Sequence, residues 1–218
     1  MITHPIQLAD GLWRWTARHP EWHPGEFGRE VASFALRSDG LLLLVDPLVT
    51  EDGGGAVLDL LDALAGDEVA IVVTIPYHAR SAEPLAERYG ATIHGHPATA
   101  KRFADAGRLT DGPPPGGVTA HPIGRPRRYE QPVHVPSHSA LAFGDAIVEV
   151  DGELRMWCQE RIDDRRIAWY RDVFAPTVEP LLALDVDRVL VTHGEPILHG
   201  GRAALEAALR RPPWNPRS

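Results

Sequence analysis

The sequence has one cysteine, Cys158, and one lysine, Lys101, among its 218 residues. A single cysteine can form neither a disulfide within the chain nor a metal site built from several thiolates. The scarcity of cysteine therefore favours a reducing, cytoplasmic setting.

Positive charge and long apolar runs are also scarce. The 30 acidic residues outnumber the 22 basic ones, which gives a formal net charge of −8. Nucleic acids and anionic membranes require clustered positive surface, and the arginines at 124–130 form too short a cluster to provide it. The longest apolar run, at 41–45, cannot cross a bilayer, and the N-terminus lacks the pattern of an export signal. We expect no nucleic-acid or membrane partner; a homo-oligomer remains open.

The apolar pattern predicts an α/β protein whose residues 1–218 form one domain. Residues 69–74 and 187–192 read as buried strands, each followed by a loop and a helix. Open α/β sheets place ligand sites at the carboxyl ends of such strands. The Gly/Pro-rich stretch at 110–117 is predicted to be a loop between two halves of the domain, and 212–218 a frayed tail.

Two groups of residues are candidates for a site. His138, Asp145 and His193 lie in turns or at predicted strand ends, and two imidazoles with a carboxylate can hold zinc or ferrous iron. Spacing alone does not show that they converge. His19, Trp22 and His23 share the segment "RHPEWH", which is interpreted as a flap that binds ligand over a cleft or as an ordinary surface loop.

The segments "LLLLVDPLV", "VVT", "PSHSALAFGDAIV" and "VLVTHGEP" occur in an order that resembles the metallo-β-lactamase fold family over nearly the whole chain. This resemblance implies a four-layer αββα sandwich with the site at one edge. It assigns Asp46 to a structural aspartate of the family, His138 and His193 to metal-binding histidines, and Asp145 to the bridging aspartate.

The family's Thr-His-x-His-x-Asp-His motif does not occur here, because residues 74–80 read TIPYHAR. In this register Ile75 and Tyr77 replace two histidines, while Ala79 and Arg80 replace the aspartate and the last histidine. Moving the match by one residue retains only His78. The altered motif predicts at most one metal ion in place of the usual two.

Two chemical hypotheses follow. In the first, one zinc or iron ion binds His138, Asp145 and His193, with His78 as an additional ligand, and activates water for hydrolysis. In the second, no metal binds: Arg80 pairs with Asp145 in its place, and Tyr77 hydrogen-bonds a histidine.

The predicted function is hydrolysis of a small ester, lactone, amide or thioester, with Asp145, His78 and Tyr77 as catalytic residues and a carboxylate-bearing molecule as ligand. The alternative is a non-catalytic protein with the same fold. It would bind a small acidic ligand or a protein partner, and the polar residues would be retained for packing.

Overall fold

The computed structural model describes residues 4–23, 27–50, 52 and 54–216. Seven strands form the first sheet in chain order, with antiparallel pairs from β1 to β4 and parallel pairs from β4 to β7. The strands are β1 (Ile6–Ala9), β2 (Leu12–Arg18), β3 (Glu30–Ser38), β4 (Leu41–Val45), β5 (Glu68–Val73), β6 (Thr92–Gly95) and β7 (Leu109–Thr110).

The second sheet has the order β13-β10-β9-β8, in which β10 and β13 are parallel and the other pairs antiparallel. A separate hairpin pairs β11 with β12. The strands are β8 (Thr119–Ala120), β9 (Val133–Val135), β10 (Ala140–Phe143), β11 (Ile147–Val150), β12 (Glu153–Met156) and β13 (Arg188–Val191).

Five α-helices are described, and none is long and apolar enough to span a bilayer. Between α3 and α4 the helix continues through a π-helical turn at Tyr170–Phe174. The helices are α1 (Gly55–Leu64), α2 (Ala82–Tyr89), α3 (Asp164–Trp169), α4 (Ala175–Val178) and α5 (Gly201–Arg210).

Successive strand residues point to opposite faces, and both faces of each sheet are covered. In β4, Leu42 and Leu44 pack with the residues of α1 and α2, whereas Leu43 faces the second sheet. In β10, Ala142 faces the first sheet and Phe143 packs with the residues of α3 to α5. The predicted four-layer αββα sandwich is therefore confirmed, and the unbroken apolar runs reflect burial on both sides.

The segment at 110–117 connects β7 of the first sheet to β8 of the second. The predicted frayed tail is wrong for 212–216. The Trp214 carbonyl accepts a hydrogen bond from Cys158 N at 2.8 Å, and the side chain of Asn215, which is buried, donates to the carbonyls of Cys158 and Glu160. The reason is that Trp214 and Asn215 form hydrogen bonds with buried backbone groups just beyond β12, which would otherwise lack partners.

Candidate active site

Asp46 anchors one side of the site. It follows β4, is buried, and has a left-handed backbone conformation with φ +47°. Its Oδ1 accepts a hydrogen bond from Thr74 N at 2.8 Å, and its Oδ2 accepts from Thr74 Oγ1 at 2.5 Å and from His78 Nδ1 at 2.8 Å. The carboxylate therefore joins the carboxyl ends of two parallel strands and orients the His78 ring.

His78, Asp145 and His193 extend this arrangement into a chain of interacting groups. The Nε2 atom of His78 lies 3.3 Å from Asp145 Oδ1, and Nε2 of His193 lies 3.7 Å from the same oxygen. All three side chains are buried. The order Asp46, His78, Asp145, His193 thus links the first sheet to the second across the edge where their strands end.

The electrostatic surroundings give the two histidines different protonation states. Burial and Arg80 lower the pKa of His78, but the carboxylates of Asp46 and Asp145 outweigh them and raise it. Burial, together with His78 and Arg80, lowers the pKa of His193 to about 4 although Asp145 opposes the change. His78 therefore holds a proton more tightly than an ordinary histidine, whereas His193 is uncharged at neutral pH.

Asp145 stays ionised in this surrounding. Burial alone would raise its pKa, but His78, by charge and hydrogen bond, and then Arg127 and His193 lower the pKa well below its usual range. Arg127 Nη1 lies 3.9 Å from Asp145 Oδ2, and its guanidinium stacks on the Trp157 ring at 4.6 Å.

The fully buried Glu130 holds the loop that carries Asp145. Its Oε1 accepts from Gly144 N at 2.9 Å and Ala146 N at 3.1 Å, and its Oε2 accepts from Asp145 N at 3.1 Å. Burial and the nearby Asp145 raise the pKa of Glu130 to about 7, against the opposing effects of Arg127 and these N–H donors. Glu130 therefore fixes the backbone from which the Asp145 side chain projects.

We expect Glu130→Gln to change how stability depends on pH. Because the folded pKa of about 7 exceeds the unfolded value near 4.5, protonation of Glu130 stabilises the fold below about pH 4.5, and this contribution is lost as the pH rises to 7. The difference in unfolding free energy between wild type and Glu130→Gln should change by about 3 kcal/mol over this range. Urea denaturation at matched pH values measures it; a constant difference would contradict the assignment.

Backbone geometry and aromatic rings fix His193. It follows β13, and Gly194 has φ +90°, where an added Cβ would lie 2.5 Å from Glu149 O, so the turn requires glycine. Arg14 clamps the turn by donating to Gly194 O at 2.9 Å. The Phe27 ring centroid lies 4.7 Å from that of His193.

Arg80 lies half-buried beside the site but does not replace the metal in the way predicted. Its Nη1 donates to Asp46 O at 2.9 Å and Ala32 O at 3.2 Å, and no ion pair with Asp145 occurs among the described residues. The predicted Arg80–Asp145 pair is therefore wrong. His78 and Arg127 take that place, because their cationic groups lie nearer the carboxylate.

His138 lies at the opposite end of the second sheet. It precedes β10 whereas Asp145 follows it, and seven residues of nearly extended chain span about 20 Å. His138 Nε2 instead lies 3.0 Å from Gly11 O, and its Nδ1 lies 3.0 Å from Ser137 Oγ. The predicted ligand set of His138, Asp145 and His193 is not assembled, since only the last two meet.

Two adjoining cavities define access to the site. The inner one, of about 80 Å³, is lined by His78, Asp145 and His193 together with His19, Trp22, Gly28, Val31, Tyr77, Arg80 and Trp157. The outer cleft, of about 620 Å³, shares His19, Tyr77 and Arg80 with the inner cavity. A small reacting group can thus occupy the inner cavity while the rest of a ligand lies in the cleft.

The remaining predicted residues are only partly at these cavities. His19 and Trp22 line the inner one, but His23 is exposed and lines neither. Tyr77 is 64 % exposed, and its ring lies 5.4 Å from the Arg102 guanidinium. The predicted hydrogen bond from Tyr77 to a histidine is not found among the described contacts. Closure of the 18–23 loop remains a prediction.

The donor set does not fit a metal ion. Over the described ranges no three His, Cys, Asp or Glu side chains have the geometry of a metal site. Histidine ligands must be neutral, whereas the carboxylates raise the pKa of His78. Ile75 and Ala79, which are buried where the resemblance implies ligands, offer no donor atoms.

Three residues of the site were not predicted from the sequence. Glu130 and Arg127 lie in a segment that was noted only for its arginines, and Phe27 carried no signal at all. No local motif marks a carboxylate that accepts three backbone N–H groups 14 to 16 residues away. The roles of these residues become visible only in the folded structure, where the loops that carry them meet.

The fold has counterparts among solved structures. A metallo-β-lactamase from Hirschia baltica is 16 % identical, with a TM-score of 0.64, and 94 % of this chain aligns with 95 % of that one. A metallo-β-lactamase from Erythrobacter litoralis is 18 % identical, with a TM-score of 0.63 and coverages of 94 % and 93 %. No family model and no curated protein matches the chain by sequence. The chain therefore has the metallo-β-lactamase fold.

Proposed function

We propose that this protein is a metal-independent hydrolase of a small ester, lactone, amide or thioester. The observation that supports the proposal most is the buried chain from Asp46 through His78 and Asp145 to His193. Environments that drive the pKa values of two titratable groups apart are typical of paired acid and base residues. Here the pKa of His78 is raised and that of His193 is lowered to about 4.

His193 is the proposed general base. The 3.7 Å between its Nε2 and Asp145 Oδ1 is too long for a direct hydrogen bond, so a water molecule in the inner cavity can contact both atoms. His193 takes one proton from this water as the oxygen attacks the substrate carbonyl carbon. The carboxylate of Asp145 stabilises the imidazolium that results.

Collapse of the tetrahedral intermediate completes the reaction. The bond from the carbonyl carbon to the leaving oxygen, nitrogen or sulfur breaks, and that atom receives the proton from His193. The products are a carboxylic acid and an alcohol, amine or thiol, so one water is consumed. His78 stays between Asp46 and Asp145 and keeps the latter in position.

The hydrolysis of a panel of small esters, lactones, amides and thioesters, measured before and after metal removal, tests the proposal. We expect kcat/KM to be unchanged by a chelator and the purified, untagged protein to contain far less than one zinc or iron per chain. Loss of activity on chelation, with recovery on adding zinc or iron, would contradict the metal-free mechanism.

The non-catalytic alternative has its own support, because the Arg80 side chain lines the inner cavity with unpaired donors that suit an acidic ligand. Binding without turnover of any panel member would favour it. In either case we propose a small molecule as the partner and the cytoplasm as the location, where the buried thiol of Cys158 stays reduced.

A further inference from the structure

The inner cavity is bordered by buried N–H donors without acceptors. Among the described residues, Nε and Nη2 of Arg80 and Nε1 of Trp157 are buried and have no hydrogen-bond partner, and both side chains line this cavity. A buried donor left unsatisfied costs free energy, and more so when it is charged. A ligand group that only accepts hydrogen bonds, bound in this cavity, would pair with these donors.

The unpaired nitrogens of Arg80 form a defined geometric unit. Nη1 already donates to the carbonyls of Ala32 and Asp46, which leaves Nε and Nη2 as one edge of the planar guanidinium. Two parallel N–H groups on such an edge match the two oxygens of a carboxylate.

The same chain uses this edge for carboxylates elsewhere. Arg88 directs Nε and Nη2 to the two oxygens of Asp62, and Arg171 directs the same two nitrogens to those of Asp172, at 2.6 and 2.8 Å. Both pairs lie on the surface. In Arg80 the corresponding edge has no carboxylate of a described residue against it.

Charge supports the same conclusion. Asp145 is already paired with His78, Arg127 and His193, and Asp46 with Thr74 and His78, so among the described contacts neither carboxylate bonds the Arg80 guanidinium directly and both act on it at longer range. Burial lowers the pKa of Arg80 although the charges of Asp46 and Asp145 oppose the change, and an anion bound directly to the guanidinium would offset this cost of desolvation. Trp157 adds a neutral donor and an apolar ring face.

We infer that Arg80, with the indole N–H of Trp157, forms a receptor for a carboxylate group of the ligand. This inference rests on the proposed function, and it narrows the substrate to a small acyl compound that carries its own carboxylate. The carboxylate and the scissile carbonyl occupy the inner cavity of about 80 Å³, and the leaving group extends into the outer cleft of about 620 Å³.

Acetate binding tests the receptor independently of catalysis. Amide chemical shifts are followed while sodium acetate replaces sodium chloride at constant ionic strength, with acetamide as the neutral counterpart and inorganic phosphate as the tetrahedral one. We expect acetate to bind, acetamide to leave the spectrum unchanged and phosphate to bind more weakly, because it lacks the planar shape that fits beside Trp157.

Substitutions locate the binding. Arg80→Met should weaken acetate binding at least tenfold. Arg80→Lys should weaken it less, because lysine keeps the charge but lacks the two parallel N–H groups. Trp157→Phe should weaken it several-fold. Arg88→Met is the matched control, since it removes an arginine whose edge already contacts Asp62, and acetate affinity should not change. Spectra without ligand establish that each variant is folded, and Arg80→Lys and Trp157→Phe test the receptor if Arg80→Met does not fold.

Unaltered acetate affinity in folded Arg80→Met or Arg80→Lys, or tighter binding of phosphate than of acetate, would overturn the inference. The proposed hydrolysis can fail separately. Carboxylate binding without turnover retains the receptor and rejects the enzyme, whereas turnover of neutral esters without acetate binding retains the enzyme and rejects the receptor.

Discussion

Replacing His193 with alanine is expected to lower kcat/KM for hydrolysis by about 10²- to 10⁴-fold, the usual contribution of a general base. The substitution removes the imidazole beside Asp145 whose pKa is lowered to about 4, so that it is uncharged at neutral pH. Steady-state kinetics on the best substrate of the panel measures the loss. His138→Ala is the matched control because it removes a buried histidine from the other end of the sheet, and the activity of its folded fraction should stay near that of wild type.

The pH profile of the wild-type enzyme provides a second measure of the same prediction. Because the pKa of His193 is about 4, kcat/KM should be constant near neutrality and fall below about pH 4, as His193 gains a proton and can no longer accept one from water. Circular dichroism at each pH separates this decrease from unfolding. A profile that declines already near pH 6.5 would assign the base to a different group.

Replacing Asp46 with asparagine is expected to destabilise the fold by about 3 to 5 kcal/mol, the range for breaking a buried ion pair. Asparagine keeps the shape and tolerates the left-handed backbone, but it removes the charge opposite His78, and its amide cannot accept all three hydrogen bonds. Urea denaturation near neutral pH measures the change in unfolding free energy.

Two comparisons sharpen the Asp46 prediction. Asp62→Asn removes an exposed carboxylate that forms an ion pair with Arg88. It should change the unfolding free energy little, because surface ion pairs contribute little to stability. The double variant Asp46→Asn, His78→Ala should lose less stability than the sum of the single variants, since each group is unfavourable without the other. Additive losses would show that the two groups are not coupled.

The layered architecture was accessible from the sequence because it depends on a local property. Runs such as Leu41–Val45 have apolar side chains at every position, and in β4 these cover the two faces of a sheet that is buried on both sides. The order of strands and loops then indicated the fold through its resemblance to a known family. Asp145 and His193 were correctly placed near strand ends.

The site itself depended on contacts that a sequence does not encode locally. His138 and Asp145 are close in the chain, but β10 lies between them and places them at opposite ends of the second sheet. Their spacing did not reveal this, which is why His138 was assigned to the wrong edge. Arg80 was expected to pair with Asp145, but His78 and Arg127 lie closer to that carboxylate. The outcome followed from the positions of Arg127 and His78, on loops far apart in the chain.

The backbone at Arg80 bears on the trade-off between stability and activity. Arg80 has φ +40° and donates a hydrogen bond to the carbonyl of Asp46, itself at φ +47°. Left-handed conformations of non-glycine residues are unfavourable, by about 1 kcal/mol or more for each residue. A glycine would suit position 80 better and would not bury a charge. Folding alone therefore does not account for a strained backbone and a desolvated charge at this position, and the proposed carboxylate receptor gives the arginine a role that glycine could not fill.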